Sequence, residues 1–208
     1  MHFTKLFLTI ALLGPMASGA AAQTSVTCSV ETVLGQAEAV TGEVRRSLEP
    51  LAQVAIQDRI ETAERGLVTL VCPDDLRITV GPSSVVVLVD VDQGATGWGA
   101  SLSTGIARFA RPLFGGARFE VRTPSAVASV RSTVWTIEAT AEATAVFVRE
   151  GQVVVTPVAE APADGPTEAV LDAGQGVEVS VSDGLGPVED WGRNRIAQQE
   201  ARLFPEGQ

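Results

Sequence analysis

Short runs of alternating apolar and polar residues, each closed by a turn signal, recur along most of this chain. The clearest lie between residues 119 and 155, where Phe119, Val121 and Thr123 fall on one face of an extended segment and Glu120 and Arg122 on the other. Thr123 and Pro124 then turn the chain. Strands are predicted on this basis at 35–42, 52–56, 59–62, 66–72, 76–80 and 84–90. A second series follows at 106–110, 117–123, 126–131, 134–140, 144–149, 152–157, 168–172 and 176–182. The spacing, about ten residues per strand and turn, with almost no helical periodicity between strands, predicts an all-β fold, a solenoid-like or sandwich stack of short strands. No fixed-period repeat distinguishes the two. Glycines 94, 97 and 99 around Trp98 read as a flexible crossing, and 159–166 as a Pro-, Ala- and Gly-rich loop. Helical spacing appears only near the end. There Asp190 is expected to cap a helix over 191–203, with Trp191, Ile196 and Leu203 as a partial apolar stripe and Arg193, Arg195 and Arg202 among them. Its expected role is to cover an open sheet end.

The first residues have the order of a secretory leader: Lys5 in a basic region, an apolar run over 6–13, then small residues up to Ala22, where cleavage is expected. The apolar run is too short for the roughly 20 residues of a spanning helix. The expected organisation is a signal peptide at 1–22, an N-terminal segment at 23–33, one all-β domain at 34–182, and a helix and tail at 183–208. Export places the chain in the periplasm or outside the cell, with no stable membrane insertion after cleavage. In that oxidising setting Cys28 and Cys72, the two cysteines of the chain, are expected to be joined. The bridge would tie the N-terminal segment to the strand at 66–72.

Composition narrows the chemistry. The single histidine, His2, and the single lysine, Lys5, both lie in the leader, and tyrosine is absent. Histidine-activated nucleophiles, lysine Schiff bases and histidine-ligated metals therefore have no residues to work with after cleavage. No cofactor or metal is expected. The formal net charge of −10 repels nucleic acid. Carboxylate-only chemistry, as in glycoside hydrolases or lyases, stays open, with Asp74 and Asp75, Asp90 and Asp92, or Glu189 and Asp190 as candidate pairs. Each has a plainer reading, in a turn, at a strand end and before a helix. The aspartates at 90 and 92 with Gly94 also open like a calcium loop, but the twelfth position is Ser101 rather than glutamate. One basic and aromatic cluster stands out in this acidic chain, Arg108, Phe109, Arg111, Phe114 and Arg118. It is the candidate surface for a partner or a carboxylate-bearing or sugar-like ligand. Trp135 reads as core.

An ordered set of short motifs gives a more specific pointer. Residues 57–62, Gln-Asp-Arg-Ile-Glu-Thr, are followed by Gly81, Pro82 and Ser83, then by Thr123, Pro124 and Ala126. Val130, Arg131, Ser132 and Thr133 come next, then Glu150, Gly151 and Val153, then Ala173, Gly174 and Gln175. From about residue 34 to 181 this series resembles the FecR domain, the extracytoplasmic domain of the iron-citrate signalling regulator. Ser132 departs from the pattern, which has glycine there. That regulator is a single-pass membrane protein with a cytoplasmic segment controlling a sigma factor, and neither part is matched here. The resemblance implies a periplasmic all-β domain that works by protein contact. The expected function is a non-enzymatic binding or scaffolding module contacting an envelope protein or glycan. The alternative within the same class is a signalling accessory relaying to a separate membrane regulator.

Overall fold

The computed structural model describes residues 26–91, 97–111, 119–159 and 165–205. The expected leader, Asp92, Phe114, Arg118 and most of the 159–166 loop lie outside these. Sixteen strands and one helix follow in order. The first eight strands are β1 (Thr27–Leu34), β2 (Ala37–Thr41), β3 (Val44–Ser47), β4 (Gln53–Ala55), β5 (Arg59–Thr62), β6 (Leu67–Val71), β7 (Arg77–Val80) and β8 (Val85–Asp90). Next come β9 (Trp98–Ala110), β10 (Phe119–Arg122), β11 (Ala126–Ala139), β12 (Ala143–Pro157), β13 (Ala169–Asp172), β14 (Gln175–Ser180), β15 (Gly184–Leu185) and β16 (Glu189–Asp190). The chain closes with α1 (Arg193–Leu203). The all-β expectation with a short C-terminal helix is met, and the strands form a two-layered, barrel-like sandwich rather than a solenoid.

Three long strands build both layers. In the first layer β4, β1, β6 and β7 lead to the second half of β9, then to the second half of β11, the first half of β12, and β14. The second layer runs from β3 through β2, β5 and β8 to the first half of β9. It continues through β10, the first half of β11 and the second half of β12 to β13. A strand that passes from one layer to the other must reverse which of its alternating side chains point inward. Each of the three does so at a local irregularity. In β9 the core positions are Trp98, Ala100 and Leu102 before Gly105, and Ala107 and Phe109 after it. In β11 they change from Ala126, Ala128 and Val130 to Trp135, Ile137 and Ala139, with a register shift between Val130 and Thr133. In β12 they change from Val146 and Val148 to Val153 and Val155, either side of Gly151 at φ 82°. Sheet-switching corners in sandwiches are made by such bulges.

Several sequence expectations are corrected by this arrangement. The segments expected as separate strands at 126–131 and 134–140 are one strand, as are 144–149 and 152–157. What read as turns between them are the corners. The supposed flexible crossing around Trp98 is the start of β9. Gly99 there passes so close to β10 that a Cβ would sit 2.2 Å from the Glu120 carbonyl oxygen.

The two inner faces close on one apolar core. Leu70, Ile78, Phe109, Trp135 and Val148 form a row across the first layer, one residue per strand, and Leu88, Ala100, Val121, Ala128, Val155 and Ala169 do the same in the second. Aromatic rings bridge them: Phe109 lies 5.0 Å from Trp135 in its own layer and 5.5 Å from Phe119 in the other, and Phe119 meets Trp98 edge-on at 5.0 Å. Such pairs add to the apolar area that they bury. The bridge Cys28–Cys72 joins β1 to the residue that follows β6, as the cysteine count implies.

Two stability changes follow. Closing a loop of this length is worth about 4 kcal/mol in the chain-entropy model, so a Cys28→Ala, Cys72→Ala double variant should lose about 2–4 kcal/mol, read as a lower urea midpoint. Gly105 stands at φ 97°, and a Cβ on it would lie 2.1 Å from Ser84 Oγ. Gly105→Ala should therefore cost more than about 2 kcal/mol in the same assay, because backbone strain and a steric clash act together.

Candidate interaction surface

The alternation of β9 separates the predicted cluster. Phe109 points inward and is fully buried in the core; Arg108, one residue earlier, points out. It is only partly exposed, because α1 lies across this outer face. There Arg108 pairs with Glu200, which also binds Arg149 of β12, and its guanidinium sits 5.0 Å from the centre of the Phe204 ring. Arg111 is buried too, with its side chain 3% exposed and Nη2 donating to Asp74 Oδ2 at 2.5 Å. The expectation that these residues form an exposed recognition patch is thus corrected for Arg108, Phe109 and Arg111. Phe114 and Arg118 lie outside the described residues. What remains near Arg111 is an open concavity of about 410 Å³, lined by Val71, Asp75, Arg77, Ala110 and Glu150 among others.

The motif residues hold the scaffold together. At one end of the sandwich the Thr62 hydroxyl donates to the Gly81 carbonyl at 2.6 Å and accepts from the Ser84 backbone N–H at 2.9 Å. Ser84 Oγ in turn donates to the Pro82 carbonyl and accepts from the Ile106 N–H, at 2.9 and 2.8 Å. These bonds fasten β5, β8 and the corner of β9. At another point Thr123, Ser125 and Thr144, all buried, share hydroxyl contacts of 2.7 Å. Thr123 Oγ1 caps the turn by accepting from the Ala126 N–H at 2.9 Å, and Ser125 Oγ donates to the Val179 carbonyl at 3.0 Å. Pro124 sits inside that turn. Buried hydroxyl groups need such partners, since an unpaired one costs roughly 1–3 kcal/mol. Thr133 Oγ1 donates to the Gln152 carbonyl at 3.1 Å across the β11 corner. Arg131 and Ser132 fall within the irregular stretch of that corner, where two residues of β11 face one of β12. Gly151 and Gly174 take left-handed backbone, at φ 82° and 90°.

Asp58, the second residue of the first motif, carries a buried carboxylate tied into this framework. It accepts from the Thr41 hydroxyl, from the Ala55 backbone N–H at 3.0 Å and from Arg46 Nη2 at 3.0 Å. Burial alone would push its pKa up. The three donors outweigh burial and hold the carboxyl below the usual aspartate value.

Two of the three carboxylate pairs lie wholly within the described residues. Asp74 is engaged by Arg111, and Asp75 belongs with it to a short 3-10 turn over Pro73–Asp75. Asp90 ends β8, and Asp92 lies outside the described residues. Glu189 and Asp190 are successive residues of β16 and so point to opposite sides. Among the described residues no group of three or more His, Cys, Asp or Glu side chains could hold a metal.

Sequence reasoning missed the contacts of the C-terminal helix. Gly192 rather than Asp190 precedes it; Asp190 sits in β16, paired with β14, and no side chain caps the helix. The helix also covers a sheet face, not a sheet end. Trp191 stacks on Phe147 of β12 at 5.1 Å, above Gly176, where a Cβ would meet the indole at 2.3 Å. Acids spaced along β11 and β14, Glu138 and Glu178, were the available signal, each awaiting an arginine of the helix. The exposed margins of the sandwich are β3 and β13 in one layer and β4 in the other, with Val44 and Val170 among their exposed apolar residues.

Comparison with known proteins agrees with this architecture. The family model described as FecR protein matches residues 58–154. Two solved structures of a candidate anti-sigma factor from Parabacteroides distasonis share the fold. One has 18% identity and a TM-score of 0.55, with 67% of this chain and 62% of that one covered. The other has 17% identity and a TM-score of 0.52, with 70% and 74% covered. The chain thus spans less than two thirds of the first of these structures. No curated protein matches it.

The sign of the Asp58 shift yields a pH-dependent test. Its stabilising contribution is complete above the ordinary aspartate range and is lost as pH falls through the depressed value. Asp58→Asn should therefore cost about 1–3 kcal/mol at neutral pH in urea titrations. The gap from the parent protein should narrow as acid protonates Asp58.

Proposed function

We propose that this chain is an exported, non-enzymatic interaction module of the cell envelope that acts as an accessory in FecR-type signalling. The FecR match over residues 58–154 carries this reading. The site geometry supports it from another side: the hydroxyl, glycine and aspartate residues of the motifs are engaged in holding two layers together, so recognition falls to the outer surface. The disulfide fits an oxidising compartment. Among the described residues no helix is long and apolar enough to cross a membrane. Contact with an envelope protein is the step this reading assigns to the chain. The short margins β3 and β13 offer unpaired backbone groups to such a partner. A glycan partner has less support, because of the residues that suggested it Phe109 and Arg111 are buried and Arg108 is paired with Glu200 under the helix.

The reading is tested by immobilising the purified protein and passing over it solubilised envelope extract from the native cell. Specific recovery of an outer-membrane receptor or a membrane-bound sigma regulator, reproduced with the purified pair, is the expected outcome. Retention of polysaccharide with no protein partner, or turnover of a glycan, would overturn it.

A further inference from the structure

The helix α1 is poorly equipped to exist by itself. It has eleven residues, no side-chain cap at its start and no acidic residue in its first turn. Isolated helices of this length are marginal in water even with good sequences. Within it only Gln199 and Leu203 are buried, and Leu203 packs over Gly81 and Ile106; the other apolar anchor, Trp191 on Phe147, lies just before the helix.

Charge supplies the rest of the attachment. Glu200 lies between Arg108 of β9 and Arg149 of β12. Arg202 reaches Glu138 of β11 at 2.5 Å, and Arg195 binds Glu178 of β14 and approaches Glu189 of β16 at 3.5 Å. Two cations also lie against rings, Arg108 on Phe204 and Arg195 on Trp191, the latter at 3.9 Å. These side chains are half-buried or exposed, with Arg149 46% and Arg202 52% accessible, so dissolved salt screens them. The interface is also incompletely satisfied: Arg108 Nε, Trp191 Nε1 and Gln199 Nε2 are buried there without a hydrogen-bond partner in the protein.

We propose that α1 is an electrostatic strap, which docks on the outer face of the first layer and releases as a unit, unfolding when it does so, while the sandwich stays intact. Release uncovers Ile106 and Thr136, which are buried on the outward side of β9 and β11. Raised ionic strength is the natural trigger. Acid acts in the same direction. Burial works against the charged form of Glu200, but its bonds to Arg108 and Arg149 prevail and hold its pKa low. The clamp is therefore complete above the usual glutamate range and weakens as pH falls through that lowered value. The groups facing it are Arg108 and Arg149.

Hydrogen exchange of the whole protein tests this, with peptides covering 195–203 compared with peptides from β11 and β12 at low salt and at roughly 1 M salt. The strap should exchange about tenfold faster or more at high salt, with the β11 and β12 peptides unchanged. Glu200→Gln should bring the same acceleration at low salt and flatten the salt response. Arg149→Gln, at a half-exposed position, should do so in part. Equal protection of helix and strands at both salt concentrations and in both variants would overturn the proposal. So would loss of protection in helix and strands together.

Discussion

The inward alternation of three shared strands is the constraint from which the rest of the molecule follows. β9, β11 and β12 each supply buried side chains to both layers, and an extended strand cannot do that without shifting its phase by one residue. The shift falls at Gly105, at residues 131–132 and at Gly151, and the buried hydroxyl of Ser84 lies against the first of these corners. The FecR-like residues gather around these corners and the turns beside them. They specify where the sandwich bends, which is why a motif so extended along the chain contains no converging chemical groups.

The architecture was legible wherever one face of a strand is wet. The bounds of 59–62 are legible because Arg59 and Glu61 alternate with buried Ile60 and Thr62, and those of 66–72, 84–90 and 168–172 nearly so because each is a short, mostly apolar run closed by turn signals. The corners were not legible as corners. Gly105 and Gly151 look like turn residues in a sequence, and only the partner strands show that the chain continues through them. Trp98 and its glycines misled for a related reason: Gly99 accommodates the close approach of β10, a contact between distant segments that local composition does not carry.

The candidate surface was legible in composition and not in placement. Arg108 and Phe109 are adjacent in the chain and opposite in space, so the two were never parts of one patch. The arginines instead tie the helix down. An acidic protein whose described cations are all arginine spends many of them on internal pairs with Glu and Asp, and its net negative surface is the remainder.

The β11–β12 hairpin has a consequence for how the chain folds. Its strands are joined by the short turn after Ala139, in which Thr140 Oγ1 accepts from the backbone N–H groups of Glu142 and Ala143, at 3.2 and 3.0 Å. Contacts so close in sequence have little loop entropy to overcome and form on a microsecond scale, well before the pairing of β1 with β6 across the disulfide loop. Because this hairpin already spans the corner, it lays down a template for both layers at once.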